Sequence, residues 1–299
     1  MNVRRYAAAI TVVVGLLLSP AAANAATKTI RYGPFTVGAG SMDNPTMTTK
    51  LRLAVSKPCG DCYITGFTPN LVYSDGSTAD MPEVMVHHAV FASQWRNDTT
   101  CSGSWLGLAG ERFFASGNER SAIDLDALGY GYRQRWYDQW NLLVELMNHS
   151  TTDKTVYLKM TYTYRSLNDS TVKPVRPLWL DVNLCGDSEY SIPATYPNEY
   201  ETIRDWTSTI NGKVIGMIGH VHAWGVRVST TNESHGGQTV CTSWAHKDEM
   251  QEVMSMDVCT GTPLGRIHTG DVLRLHSVYS SDVPRNDVMG IMLGYVHRT

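Results

Sequence analysis

The chain has 299 residues, a formal net charge of −3 and a charged fraction of 18%. This balance provides no basic surface for nucleic acid, so nucleic-acid binding is excluded from the expected functions. The composition, rich in Tyr, Thr, Ser, Val and Gly, is typical of a secreted β protein.

The first 25 residues have the pattern of an export signal. Arg4 and Arg5 precede an apolar stretch, residues 7–18, and a segment of small residues ends at Ala25. This order is typical of a secretory signal peptide cleaved after Ala25. The apolar stretch is too short to span a membrane, and no later one is long enough. We therefore predict a secreted protein, extracellular or periplasmic, with no membrane association after cleavage.

The chain contains six cysteines: Cys59, Cys62, Cys101, Cys185, Cys241 and Cys259. An even number in an exported protein predicts three disulfides. Cys241 and Cys259 bracket one polar connection and are predicted to pair, while the sequence leaves the pairing of the other four open. The spacing of Cys59 and Cys62 also fits a redox or metal pair, but the βαβ context and a second zinc pair are missing.

Short segments rich in β-branched and aromatic residues, separated by turn residues, predict strands along the whole chain. The predicted strands are residues 51–55, 63–71, 84–92, 142–147, 156–164, 178–184, 214–222, 226–229, 272–279 and 288–297. One short helix is predicted at residues 199–206. A proline-punctuated stretch, residues 167–177, separates the two groups of strands. We therefore predict an all-β protein with two antiparallel β-sandwich domains, residues 26–172 and 173–299.

A His-x-His pair, His220 and His222, ends the apolar run that begins at Val214. Side chains on a strand alternate faces, so both imidazoles point the same way and can bind one metal ion. Imidazole is a normal ligand for zinc, copper, iron and nickel. Such a pair can also be an ordinary exposed or core pair, so further ligands are needed to predict a metal site.

A second pair, His87 and His88, lies in the predicted strand at residues 84–92. Adjacent strand residues face opposite ways, so these two can share an ion only at a strand end or at a β-bulge. His149 follows the strand at residues 142–147 and is the candidate third ligand. For the His-x-His pair the candidate third ligand is Met289, whose thioether suits copper, particularly Cu(I). Most of the 13 methionines are expected to fill core gaps, Met292 among them.

The order His-His, His, His-x-His, Met resembles the ligand pattern of the copper type II, ascorbate-dependent monooxygenases, which include peptidylglycine α-hydroxylating monooxygenase and dopamine β-monooxygenase. The intervals between the ligands are also similar, and the likeness spans about residues 51–296. Short segments around Met289 and His220 are similar to the plant stress-up-regulated nodulin family as well.

The resemblance implies two jelly-roll-like sandwiches that each carry one copper ion and face each other across a solvent cleft. His87, His88 and His149 would hold the electron-transfer copper, and His220, His222 and Met289 the catalytic copper that binds dioxygen. Ascorbate would be the reductant.

The substrate residues of the peptide-amidating members do not match this chain. Ile218 stands where those members place an arginine that holds the substrate carboxylate, and Gly290 follows Met289 in place of a polar residue. Peptide amidation is therefore not expected, and the substrate, a small molecule or a peptide, is left open. The alternative is a noncatalytic secreted copper-binding or interaction protein on the same scaffold. The remaining histidines, His235, His246, His268, His276 and His297, have no partner at ligand spacing and are expected to be structural.

Overall fold

The computed structural model describes residues 25–299 except 102, 103, 106, 107 and 186, so the predicted signal peptide lies almost entirely outside the described residues. The strands of the first half are β1 Ala26–Val37, β2 Thr46–Val55, β3 Cys62–Val72, β4 Val84–Ser93, β5 Ser104–Trp105, β6 Leu108–Ala109, β7 Glu111–Ser116, β8 Ile123–Asp124, β9 Tyr130–Gln134, β10 Trp140–Asn148 and β11 Lys154–Ser166. The strands of the second half are β12 Lys173–Asp181, β13 Tyr190–Ile192, β14 Tyr200–Thr207, β15 Gly212–Val221, β16 Gly225–Asn232, β17 Gln238–Lys247, β18 Val253–Met256, β19 Val258–Ile267, β20 Val272–Tyr279, β21 Arg285–Val288 and β22 Gly290–Arg298. A single 3-10 turn, Glu233–His235, is the helical segment among the described residues, so the all-β prediction is confirmed.

One nine-stranded sheet runs through both halves of the chain in the order β1-β11-β3-β9-β12-β22-β15-β19, with β8 paired to β3. Strands β9 and β12 pair in parallel, with Val175 opposite Tyr132, and this contact joins the halves within one hydrogen-bonded sheet. The other long pairs are antiparallel. The predicted domain boundary, between residues 172 and 173, falls in the connection between β11 and β12.

Two smaller sheets face this shared sheet. The four-stranded sheet β2-β10-β4-β7 packs in the first half, and the five-stranded sheet β14-β20-β16-β17-β18 packs in the second. Aromatic rings fill the first core: Phe67 of β3 stacks on Phe114 of β7 with centroids 4.8 Å apart, and Phe113 stacks on Tyr132 at the same distance. Each half is thus a two-layer sandwich that has one layer in common with the other.

Strand β22 is buried on both faces and contributes to both cores. Ile291, Leu293 and Tyr295 belong to the first core, and Met292 and Val296 belong to the second. This alternation follows from the two-residue period of a strand. Strand β15 lies beside β22 and is divided in the same way, so its side chains also point alternately into the two halves.

The predicted helix at residues 199–206 is wrong, because this segment forms β14. Apolar side chains recur every third residue, at Tyr200, Ile203 and Trp206, which imitates a helical period. The segment pairs with β20 over eight residues, and Tyr, Thr, Ile and Trp all favour strands. Ladder hydrogen bonds to β20 therefore outweigh the weak helical pattern.

The six cysteines form three disulfides. The predicted pair Cys241–Cys259 is confirmed, and the open pairings are resolved as Cys59–Cys62 and Cys101–Cys185. Cys101–Cys185 ties the loop after β4 to the loop after β12, and so links the two halves covalently. None of the described segments forms a helix with the length and apolar character needed to cross a bilayer.

The two longer disulfide loops provide a stability prediction. Replacing both cysteines of Cys101–Cys185, separated by 84 residues, with serine is expected to lower the free energy of unfolding by about 4.5 kcal/mol. The same change at Cys241–Cys259, separated by 18 residues, should cost about 3 kcal/mol, because a shorter loop restricts the unfolded chain less. Urea unfolding of both double variants measures the difference, and an equal or larger loss at Cys241–Cys259 would contradict it.

Candidate metal centre

A β-bulge in β4 brings His87 and His88 to the same site. Strand β4 pairs with β10, and the register shifts between Glu145 and Leu146: Glu145 lies opposite His88, while Leu146 lies opposite Val86. His87 is the extra residue of this bulge. The bulge redirects one of the two rings, so His87 and His88 can share one ion.

The second pair reaches the same place from β15. His220 is on β15 and His222 follows its last residue, Val221. Val221 packs in the second core, so His220 lies on the opposite face, towards the first half. The turn after β15 is closed by the Gly225 N–H, which donates to the His222 carbonyl at 2.9 Å.

The four imidazoles form one cluster. Ring centroids are 4.1 Å apart for His87 and His88, 4.8 Å for His87 and His222, 5.1 Å for His88 and His222, and 5.3 Å for His88 and His220. Ligand nitrogens of His87, His88 and His222 all lie within 4.8 Å of one another. The expected arrangement, with the two pairs in separate sites across a solvent cleft, is thus not the one that the structure shows.

Two nitrogens of this cluster are directed at each other. Nε2 of His88 and Nε2 of His222 are 2.9 Å apart. Nδ1 of His88 is 2.6 Å from Oε2 of Glu145, and Nδ1 of His222 contacts the carbonyl oxygen of Asp287. A carbonyl oxygen and a carboxylate only accept hydrogen bonds, so each Nδ1 carries the proton and each Nε2 of a neutral ring presents a lone pair.

Burial keeps these rings neutral. It lowers the pKa of His87 to about 4, with a further contribution from His220, and burial lowers the pKa of His88 and His222 well below the usual value. Two lone pairs facing each other at 2.9 Å repel, unless a cation lies beside both. Two nitrogens that are each about 2 Å from one ion, at right angles, are separated by about 2.9 Å. The donor set and its spacing therefore fit a metal ion that prefers imidazole, as copper does.

The loop after β7 holds His220. Nδ1 of His220 is 3.2 Å from Oε1 of Glu119, and the Gly117 N–H donates to the same oxygen at 2.7 Å. Burial opposes ionisation of Glu119, but the His220 ring and the N–H donors outweigh it and lower the pKa of the carboxyl. Nε2 of His220 is buried and has no partner among the described groups, so it is free to bind an ion.

His149 is not one of the four clustered rings, but it lines the same cleft as His87, which has a volume of about 220 Å³, and it contributes to the lowered pKa of His87. Its backbone N–H donates to the Glu83 carbonyl at 2.7 Å, which extends the pairing of β10 with β4. Both of its ring nitrogens are enclosed and have no partner in the described part of the chain. Three methionines line this cleft as well: Met42, Met85 and Met147.

Met289 does not line this cleft. It is 3% exposed and lines a small apolar cavity of about 20 Å³ together with His88, His220, Trp179 and other residues. The hydroxyl of Tyr279 donates to the Met289 carbonyl and accepts the His222 N–H at 2.8 Å. Tyr279 therefore fixes the backbones of both predicted ligands relative to each other.

The cleft contains a cation that the sequence reasoning missed. Arg285 lines it, held by a hydrogen bond from Nε to Ser281 Oγ at 3.0 Å and by its contact with the Trp224 ring at 5.4 Å. Asp287 and Glu252 line the same cleft. Arg285 is therefore a cation that could contact a substrate carboxylate, although it does not occupy the position of the family's arginine, where buried Ile218 lies outside the cleft.

Two histidines expected to stand alone have neighbours. His235 and His268 both contact Asp271, whose Oδ2 is 3.3 Å from His235 Nε2 and 3.6 Å from His268 Nδ1. The two rings are exposed, and the same carboxylate accepts the His268 N–H at 2.9 Å, which is the bonding of an ordinary turn. His276 bonds to Thr231 and Glu201, away from the cleft.

Comparison with known proteins gives two relatives with related names. The chain is 28% identical over 285 residues to "Probable copper-dependent oxygenase M1" of Phoma sp., an alignment that covers 89% of this chain and 71% of that protein. It is also 28% identical over 247 residues to "Probable copper-dependent oxygenase clz3" of Cochliobolus lunatus, covering 76% and 77%. Both names refer to copper, the metal that suits the observed donor set.

Other comparisons add little. No protein-family model matches the chain. Among solved structures, the one titled "Crystal Structure of the STIV MCP" aligns with 91% of this chain and 97% of that one, at 9% identity and a TM-score of 0.39. A likeness at this level supports no conclusion about this protein.

Sequence reasoning missed the acceptors that orient the rings. Glu145 and Glu119 lie far from their histidines in sequence, by 57 and 101 residues. Their positions follow from sheet pairing and loop docking, which a single sequence does not display. A partial signal was present for Glu145, because it stands four residues before His149 in a predicted strand.

The Gly117→Ala variant tests the support of His220. A methyl group at residue 117 would lie 2.7 Å from Cε1 of His220 and 2.6 Å from Oε2 of Glu119, so the contact between the ring and the carboxylate that supports it must rearrange. We expect copper affinity to fall about tenfold to a hundredfold, as with other losses of ligand support. The control is Gly38→Ala, where the nearest atom is 3.7 Å away. Equal copper affinity in both variants, measured by competition with a chelator, would contradict this role.

The metal-free protein should become less stable as pH falls. The folded pKa of His87 is about 4, below its ordinary 6.5, so the folded state binds fewer protons than the unfolded state in this range. Its contribution to stability is therefore complete above pH 6.5 and is lost between pH 6.5 and about 4. In urea unfolding across this range, the free energy of unfolding should depend less on pH in His87→Gln than in the unchanged protein, since glutamine does not titrate. An unchanged profile would show that folding does not shift the pKa of His87.

Proposed function

We propose that this protein is an exported copper-dependent monooxygenase that uses an external reductant such as ascorbate to hydroxylate a substrate C–H bond. The observation that carries the proposal is the pair of facing Nε2 atoms of His88 and His222, 2.9 Å apart with both Nδ1 protons committed to acceptors. The names of the two relatives, both probable copper-dependent oxygenases, support copper and oxygen chemistry. Three disulfides are compatible with export.

Copper would be held by His87, His88, His220 and His222. Bound there, it would supply reversible one-electron chemistry towards dioxygen. Glu145 and Glu119 accept hydrogen bonds from Nδ1 of His88 and His220, and the Asp287 carbonyl accepts one from His222. These acceptors fix the tautomer of each ring and point its other nitrogen at the ion.

The apolar cavity beside Met289 suits dioxygen. Its volume of about 20 Å³ holds one small molecule, and Val90, Ala115 and Ile291 contribute to its walls beside His88 and His220. An apolar cavity of this size does not retain water well, and dioxygen is small and apolar. The residues of this cavity would therefore keep water away from the imidazoles while a gas molecule is admitted.

The substrate would enter through the open cleft, which Met289 does not line. Methionine, proline and valine side chains form much of its wall, and Arg285, Asp287 and Glu252 lie there too. A volume of about 220 Å³ accommodates a small molecule or the end of a chain, not a folded partner. We propose a substrate that has both an apolar part, which contacts the methionine and valine side chains, and a polar group that contacts Arg285.

We propose that a second copper ion is bound at His149. Met147 precedes it by two residues, so both side chains lie on one face of the strand, and Met85 is the partner of Met147 in the register of β4 and β10. Burial lowers the pKa of His149, which leaves a neutral ring with no partner. An imidazole beside thioethers is a donor set selective for Cu(I).

Copper analysis and oxygen uptake test the function. We expect the purified protein to bind up to two copper ions and to consume oxygen when ascorbate and copper are present together. His88→Ala should abolish tight Cu(II) binding and oxygen uptake, because it removes one of the two facing nitrogens. Two copper ions with no ascorbate-dependent uptake under any substrate tested would support the noncatalytic alternative instead.

We propose that Met289 is a further, soft ligand of the copper held by the four histidines, since it shares a cavity with His88 and His220, and a pair of methionine variants tests this role. Both Met289 and Met292 are buried, at 3% and 0% exposure, and leucine preserves their volume, so each substitution should cost less than about 1.5 kcal/mol in stability. Met289→Leu is expected to lower Cu(I) affinity and ascorbate-dependent oxygen uptake while Cu(II) stays bound through imidazole. Met292→Leu should leave both unchanged. Loss of Cu(I) affinity and oxygen uptake in Met292→Leu, with both unchanged in Met289→Leu, would show that Met289 is not the soft ligand.

A further inference from the structure

A second cavity, the arginine cavity, lies where the two halves share their sheet. It has a volume of about 510 Å³ and has no lining residue in common with the histidine cleft. Five arginines line it: Arg96, Arg133, Arg135, Arg176 and Arg298. Its volume is within the range of sites that bind small organic molecules.

The sheet itself brings these charges together. Val175 of β12 lies opposite Tyr132 of β9, so the next residues, Arg176 and Arg133, are neighbours. On the other side of β12, Arg176 lies opposite Val296 of β22, and continuing this register places Arg298 beside Pro174. Like charges on adjacent strands are destabilising when nothing neutralises them. The arginines on these neighbouring strands therefore repel one another unless anionic groups neutralise them.

Only part of this charge is neutralised within the protein. Arg96 pairs with Asp138, and Arg176 pairs with Glu111, with Nε to Oε1 at 3.0 Å. The cavity is lined by five guanidinium groups and two carboxylates, so three positive charges are not neutralised. The chain as a whole has a net charge of −3, so this positive charge is local to the cavity. Within the described ranges, no acceptor contacts the side chains of Arg133, Arg135 or Arg298, and Nε of Arg135 is buried without a partner.

Exposed aromatic rings accompany these arginines. Trp95 and Tyr137 line the cavity and are 72% and 58% exposed, and Trp136, which contacts Tyr137 with centroids 5.4 Å apart, is 71% exposed. Exposed apolar side chains that are grouped in this way mark surfaces that bind other molecules. Guanidinium groups match carboxylates geometrically, and aromatic rings stack on flat molecules.

We propose that the arginine cavity binds a planar organic anion that carries two or more carboxylates. Arg133, Arg135 and Arg298 bind the carboxylates, and Trp95 and Tyr137 contact the face of the molecule. Both halves of the chain contribute, since Arg133 and Arg135 come from β9 and the loop after it, while Arg298 ends β22. This site does not depend on the proposed copper chemistry.

The probe is trimesate, a flat aromatic tricarboxylate, titrated into the full chain by calorimetry and by tryptophan fluorescence. We expect saturable one-to-one binding, about threefold to tenfold tighter than for citrate, which has the same charge but no ring. The neutral triamide of trimesate should bind at least tenfold more weakly. No saturable binding of trimesate, or equal binding of the neutral analogue, overturns the proposal.

Arginine variants locate the site. Arg135→Gln is expected to weaken trimesate binding tenfold or more, and Arg135→Lys by less, because lysine keeps the charge and loses the paired donors. Arg266→Gln is the control, an exposed arginine outside the cavity, and should change affinity by less than about twofold. Copper content and the urea midpoint report whether each variant is folded. A loss for Arg266→Gln equal to that for Arg135→Gln would show only nonspecific attraction and would overturn the assignment.

Discussion

The burial of β22 on both faces is the constraint on which the arrangement of this protein depends. A strand that supplies Ile291 and Leu293 to one core and Met292 and Val296 to the other cannot belong to one half alone. Its neighbour β15 is divided in the same way, and this division decides where the histidines go. Because Val221 packs in the second core, His220 must face the first half, where β4 carries His88. The meeting of the two histidine pairs is thus a consequence of core packing.

The same packing explains why the centre is preorganised. His88 is 5% exposed and is held by Glu145 from the neighbouring strand, while the backbone N–H of His222 is held by Tyr279. Glu145 and Tyr279 are parts of sheets, so the sheets position His88 and His222, while the loop after β7 holds His220 through Glu119. Rings fixed in this way lose little freedom when an ion binds, which favours affinity and a defined geometry. The energetic cost is borne by the metal-free state, in which buried lone pairs face each other.

Much of this could be anticipated from the sequence, for identifiable reasons. Alternating β-branched segments indicated β4, β10, β11 and β20, and the all-β architecture followed from them. The histidines and Met289 were found because ligand residues are rare and their order is distinctive. The shared sheet was not predictable, because β12, which pairs with β9, begins within the proline-punctuated stretch that resembles a linker. The sequence intervals between the histidines also do not show that the two pairs lie in one cluster, because this depends on how the halves share the sheet. Edge strand β14 was misread because its apolar spacing imitates a helix.

The shared sheet also limits how such a protein could arise and change. Two independent sandwiches can be separated, recombined or exchanged between genes, since each keeps its own core. Here a cut between residues 172 and 173 would leave the first core without the side chains of β12, β15 and β22 and would expose the edge of β9. Neither half would fold around a complete core without the other. Lineages that carry this architecture should therefore transmit both halves together, and natural variation should be concentrated in the loops and outer sheets.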